Sequence, residues 1–153
     1  MPQLWRVVKR LHASTAFDGK AAERLGGRWN SPGHRVVYTS ATKSLAVLEI
    51  LVHLDVGRSI PRFVAFTFAV DDRLVDRVPA AHLPRRWHTS RGLLTTRQIG
   101  DQWLASGRSL ALAVPSAIVP EESTYLLNPA HPAYDRLEFG RAVPFLLDPR
   151  LKS

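Results

Sequence analysis

Hydrophobic and polar positions alternate with a period of two through much of this chain and with a helical period in only two places. Leu4, Arg6 and Val8 fall on one side of a first short strand, with Trp5 and Val7 on the other. Residues 12–33 are rich in glycine and polar side chains and read as a long loop. Val36-Val37-Tyr38-Thr39 predicts a strand bounded by Gly33 and Ser40. Ser40 or Thr42 then caps a helix running to about Leu54, with Gly57 beyond its end. From Arg62 to Val70 the alternation is strong and apolar on both faces. Val64, Phe66, Phe68 and Val70 line one face, and Phe63, Ala65, Thr67 and Ala69 line the other, which predicts a strand buried on both sides.

Residues 71–93 are irregular, broken by Pro79 and Pro84. Thr95 and Gln98 have capping-box spacing and open a second helix, with Ile99 and Trp103 on its apolar face and Gly107 as its stop. Residues 109–114 read as a buried strand stopped by Pro115. Tyr125–Leu127 and Val143–Leu147 read as closing strands, and Pro144 puts the last at a sheet edge. Strands are many, helices few, and the two do not alternate regularly. That favours an α+β fold with a mixed or antiparallel sheet over a doubly wound parallel sheet.

With 153 residues, the chain has the length of one ordinary domain and can bury a core without a staple. The absence of cysteine excludes a disulfide framework, thiolate metal sites and a cysteine nucleophile, and suits a reducing cytoplasm. The start of the chain lacks a signal-peptide layout, and the longest apolar run, residues 45–54, is interrupted by Glu49 and His53. A cytoplasmic protein without a membrane span is expected. The net charge of +8 favours anionic partners, but the charge is mostly arginine and spread along the chain, unlike a nucleic-acid tail. The six histidines show no metal-binding spacing, so no metal is expected.

Six places carry candidate chemistry. Glu49 sits among Leu45, Ala46, Val47, Leu48, Ile50, Leu51 and Val52. A carboxylate in such surroundings must be met by a partner, because desolvating it alone costs several kcal/mol. It is read either as half of a structural ion pair or as a charge facing a cleft. Gly26-Gly27-Arg28-Trp29-Asn30 lets the backbone bend and approach a ligand, and Arg28 offers a fork suited to phosphate; a plain turn with a surface arginine is the alternative. Arg6 lies inside a strand, where a charge is seldom decorative. Tyr38 ends a strand just before the helix of Glu49, and either packs in the core or faces a ligand. Ser116 lies between Pro115 and Pro120, outside any nucleophile elbow, so hydrogen bonding is its expected role. Asn128-Pro129-Ala130-His131-Pro132 is a rigid polar turn.

Taken in order, these segments resemble the RES-domain family, toxins of bacterial toxin–antitoxin pairs. The likeness runs from Trp5-Arg6 through Gly-Gly-Arg-Trp-Asn, Val37-Tyr38-Thr39-Ser40, Leu45-Ala46-Val47-Leu48-Glu49, Ile99-Gly100-Asp101-Gln102-Trp103 and Val114-Pro115-Ser116 to Leu127-Asn128-Pro129-Ala130-His131-Pro132. The family's name records an arginine, a glutamate and a serine, which match Arg28, Glu49 and Ser116. One departure is Thr124, where the family often has asparagine. The resemblance implies an ADP-ribosyltransferase-like fold with NAD in a central cleft. NAD is then broken by hydrolysis or phosphorolysis, with inorganic phosphate as a possible co-substrate, or its ADP-ribose is transferred to a protein. Glu49, Arg28 and Ser116 would be catalytic, and Arg6, Arg28, Tyr38, Ser116 and Asn128 would contact NAD. The resemblance also implies a helical, Xre-like antitoxin with a DNA-binding part that blocks the cleft. The main rivals are a non-catalytic basic nucleic-acid-binding module, for which no recognition motif is present, and a protein that only binds a nucleotide or an antitoxin.

Overall fold

A computed structural model describes residues 1–55 and 59–152 of the chain. Seven strands form one sheet in the order β4-β5-β6-β2-β1-β3-β7. They are β1 (Gln3–Lys9), β2 (Val37–Ser40), β3 (Phe63–Ala69), β4 (Val75–Arg77), β5 (Ala111–Pro115), β6 (Ser123–Leu127) and β7 (Val143–Phe145). Every pairing is antiparallel except β4 with β5, so the α+β expectation is met with a mixed sheet.

The sheet is nearly cut in two at its centre. β1 pairs with β3 over seven residues and β2 with β6 over four, but β1 meets β2 only where Trp5 stands opposite Ser40. The backbone groups released there need other partners. Arg6 supplies one, its Nη1 donating to the Tyr38 carbonyl at 2.8 Å.

Two helices pack on the half-sheets. α2 (Lys43–Leu51) lays Ala46 and Leu51 against Val7, Phe63 and Ala65. Thr42 caps it, Oγ1 accepting from Leu45 N at 3.1 Å, as one of the two expected caps. The helix ends at Leu51, short of the expected Leu54, because His53 and Leu54 bond back three residues, to Ile50 and Leu51. Gly57, its expected stop, lies outside the described residues. α3 (Leu93–Ser106) brings Trp103 against Trp29, Trp87, Leu112, Val114 and Leu126. It closes at Gly107, in the left-handed conformation as expected. Its start differs: Gly92 is the cap residue and the Thr95–Gln98 spacing falls inside the first turns, with no side-chain cap.

Other differences have local causes. The predicted loop over 12–33 is entered by a 3-10 turn at Arg10–Thr15 and contains a short helix, α1 (Lys20–Leu25), opened by Asp18 Oδ1 accepting from Lys20 N. Six residues are too few to show a helical period. β4 lies in the stretch read as irregular; its three residues are strand only because β5 lies alongside. Pro115 is the last residue of β5, paired with Ser123, rather than a stop beyond it. β7 is the edge strand, as Pro144 predicts, but ends at Phe145. It reaches along β3 only to the Ala65–Val143 pair, which leaves Thr67 exposed where the pattern had it buried.

Candidate active site

Where β1 and β2 part, a cleft of about 190 Å³ opens under α2. Strand β1 contributes Trp5, Arg6 and Val7, β2 contributes Tyr38, Thr39 and Ser40, and β6 contributes Thr124. Ala46, Glu49 and Ile50 on one face of α2, with His53 in the turn that follows the helix, roof it at spacings of three and four residues. Arg6 shares its side of β1 with Leu4 and Val8, which pack away from α2, so it reaches the cleft through the gap in the sheet.

Glu49 is half-buried, and desolvation raises its pKa above the ordinary carboxylate value. A hydrogen bond from Ser116 and the nearby His53 oppose that rise. Ser116 is 1% exposed, and its hydroxyl oxygen accepts from Ile118 N at 3.1 Å and Val119 N at 3.2 Å. Its lone pairs are thereby used, so its one proton is aimed at Glu49 Oε1, at a long 3.4 Å. Among the described residues no lysine or arginine forms an ion pair with Glu49.

Arg6 is anchored by backbone, its Nε donating to the Ala16 carbonyl at 2.5 Å. Burial pulls its pKa down to about 10, opposed by Tyr134 and Asp18, so it is still a cation at neutral pH. Tyr38 lines the cleft and packs against the cluster of Trp29, Val36 and Leu126, while its hydroxyl accepts from Trp29 N at 3.0 Å and donates to Asn30 Oδ1 at 2.7 Å. Burial is the main cause that raises its pKa, so it stays a neutral phenol.

The structure therefore brings Glu49, Arg6 and Tyr38 to one cleft, with Ser116 touching Glu49 from behind. Arg28 does not line that cleft. Its Nη1 donates to the carbonyls of Trp87 (3.1 Å) and Thr89 (2.7 Å). Asn128 is not at the cleft either. It is 3% exposed, beyond the far end of β6 from Thr124, and its Oδ1 accepts from Ala130 N at 3.0 Å. The side-chain amide closes an Asx turn, and His131 shapes the same turn, Nδ1 accepting from Ala133 N. A short polar side chain beside proline reads alike as ligand contact or turn former; only the position of the strand end decides.

Sequence reasoning missed Trp5, Ser40, Ile50, His53 and Thr124 as cleft residues. Ile50 and His53 were within reach, since the helix predicted to run to Leu54 puts both beside Glu49. Ser40 and Trp5 were not, because their meeting depends on strand order. A groove of about 350 Å³ between β4 and α3, lined by Arg77, Gln102 and Arg108 among others, holds none of the predicted residues. Among the described residues no cluster of histidine and carboxylate groups could hold a metal ion.

A mixed sheet opened at its middle, with an acid that no lysine or arginine pairs with among the described residues, a backbone-anchored arginine and a tyrosine around one cleft, defines an α+β protein with a candidate site at that opening. The RES domain model matches residues 3–148. Toxin Res of Yersinia enterocolitica is 37% identical over 150 residues, covering 97% of this chain and 99% of that protein. The Prs ADP-ribosylating toxin of a Sphingobium species is 34% identical over 152 residues, 96% and 94% of the two chains. The crystal structure of the M. tuberculosis MbcT–MbcA toxin–antitoxin complex contains a chain that superposes with a TM-score of 0.69 over 98% of this chain and 86% of that one. At 18% identity that likeness concerns the fold. This chain belongs to the RES domain family.

Proposed function

We propose that this chain is the toxin of a toxin–antitoxin pair, a single RES-type domain acting in the cytoplasm, and that it breaks the nicotinamide–ribose bond of NAD in the cleft under α2. The observation that carries the reading is Glu49: a carboxylate half-buried against a cleft, oriented by Ser116 and paired with no lysine or arginine among the described residues. A structural ion pair would have answered its desolvation; an uncompensated acid is held for a charge that arrives with the substrate. As nicotinamide departs with the electron pair of the C–N bond, the ribose becomes an oxocarbenium-like cation, and Glu49 stabilises it where charge develops. Water, phosphate or a protein nucleophile then attacks the same carbon. Arg6 holds the pyrophosphate or the adjoining ribose, and the Tyr38 ring packs on nicotinamide. At about 190 Å³ the cleft takes the nicotinamide riboside end of the dinucleotide rather than the whole. The adenylate end then extends over the surface, with Arg28, outside the cleft, as the candidate to meet a phosphate.

An antitoxin that covers the cleft belongs to this reading. The solved toxin–antitoxin complex of the same fold supports a protein partner, and the family resemblance favours a helical, Xre-like one. A second reading, transfer of ADP-ribose to a protein, is favoured by the relative named Prs ADP-ribosylating toxin. One experiment separates the acceptors. The protein is incubated with NAD, with and without phosphate and candidate proteins, and the ribosyl product is weighed by mass spectrometry. ADP-ribose, its phosphate ester and a modified protein differ in mass. Glu49→Gln should lower nicotinamide release by about 10²-fold or more. Unchanged release by a folded Glu49→Gln protein would remove this acid from the reaction.

A further inference from the structure

α3 carries a row of residues that the cleft itself does not use. Thr96 and Gly100 are one turn apart on the helix, and Arg97 and Asp101 form the adjacent row. Thr96, Arg97 and Gly100 meet the turn Gly27–Asn30, which is closed by Gly27 N donating to the Asn30 carbonyl at 3.0 Å, and Asp101 meets Ser31, the residue that follows it. Thr96 Oγ1 donates to the Arg28 carbonyl at 2.6 Å, and Arg97 Nε donates to the Gly27 carbonyl at 2.9 Å. Asp101 Oδ1 accepts from Ser31 N at 2.9 Å. Between them, a Cβ on Gly100 would stand 1.6 Å from the Trp29 carbonyl oxygen, so the turn lies directly on the helix backbone.

The other side of the turn holds Tyr38, which lines the cleft. Trp29 N donates to the Tyr38 hydroxyl, which donates to Asn30 Oδ1. Asn30 is fully buried, its amide group spent on the carbonyls of Ala22, Ser31 and His34. A Cβ on Gly27 would lie 2.5 Å from that same hydroxyl. The turn is thus clamped between α3 and Tyr38, and a shift of one moves the other.

We infer that Arg97 and Asp101, with Gly100 between them, are positioning residues that set the Tyr38 ring and the Arg28 turn from behind the cleft. This rests on the reading that the cleft takes NAD. Both side chains grip backbone, so they act on placement, not on the breaking bond. Misplacement of the ring and turn weakens substrate binding in ground and transition state alike, which is a KM effect.

The test compares four variants in NAD turnover and in amide hydrogen exchange. Asp101→Ala should raise KM for NAD about tenfold, the scale of one charge-assisted hydrogen bond, with kcat changed by less than about threefold. Asp101→Asn keeps an acceptor for Ser31 N and should restore KM. Arg97→Met loses the donor to Gly27 and should give the same split, which covers the case of an unfolded Asp101→Ala. Ser109→Ala removes the partner of Trp103 Nε1, a 2.8 Å bond that also anchors α3, and should leave KM unchanged. The Trp29 amide bonds Tyr38 and touches neither altered side chain; its exchange should speed up in Asp101→Ala and Arg97→Met and not in Ser109→Ala. A wild-type KM in folded Asp101→Ala or Arg97→Met overturns the inference, as does an equal KM rise in Ser109→Ala. If the wild-type protein releases no nicotinamide and modifies no protein, the functional reading fails by itself. Trp29 exchange then decides the clamp, unchanged protection refuting it.

Discussion

Ser116→Ala tests the link between the buried strand end and the acid it touches. The hydroxyl oxygen serves three groups: the amides of Ile118 and Val119, and Glu49 Oε1. Alanine keeps the Cβ and deletes only the oxygen, so packing is preserved. Two half-buried amides lose an acceptor, at roughly 0.5–1 kcal/mol each since water can partly replace it, or about 1–2 kcal/mol in all. In a chain of this size that lowers the Tm by about 3–6 °C. The second consequence concerns ionisation. Burial raises the Glu49 pKa, and the Ser116 hydrogen bond is the first of the effects that lower it. Removing the bond leaves burial less opposed, so the pKa rises further. In the proposed reaction the ionised form of Glu49 is the reacting one, so turnover should be present above this pKa and lost as pH falls through it. The acid limb of kcat/KM for nicotinamide release should therefore move to higher pH in Ser116→Ala, and the two profiles should converge on the alkaline side. Superimposed acid limbs, or a variant limb at lower pH, would refute the coupling. An equal loss at every pH would assign the hydroxyl to substrate contact instead.

Asn128→Ala separates turn from ligand. Losing the acceptor of Ala130 N in a buried turn should cost about 1–3 kcal/mol in urea unfolding while the KM for NAD stays within about twofold of wild type; a KM rise in the folded variant would return Asn128 to the binding site. Gly100→Ala drives a methyl group into the Trp29 carbonyl, so α3 must retreat from the turn; unfolding by urea should show a loss of about 3 kcal/mol or more, and a neutral substitution would contradict the contact.

The local sequence determined the elements whose signals are complete within a few residues. The alternation through Phe63–Ala69, the Thr42 cap, the Gly107 stop and the edge proline Pro144 each describe a chemistry satisfied nearby, and they lie where their patterns put them. The isolated acid at Glu49 was also legible, because an apolar helix cannot hide a carboxylate without cause. The RES-like order of motifs carried the family. Tertiary structure decided the rest. Val75–Arg77 is a strand only beside β5, and Thr95–Gln98 loses its capping role because the helix already begins at Leu93. Arg6 enters the cleft because β1 and β2 share a single residue pair, and Asn128 stays out because it leaves β6 at the opposite end. Arg28 spends its Nη1 on two carbonyls some sixty residues away in sequence. Alternation and capping report a residue's immediate surroundings; which strand lies beside which, and therefore which side chains share a cleft, is set by long-range packing.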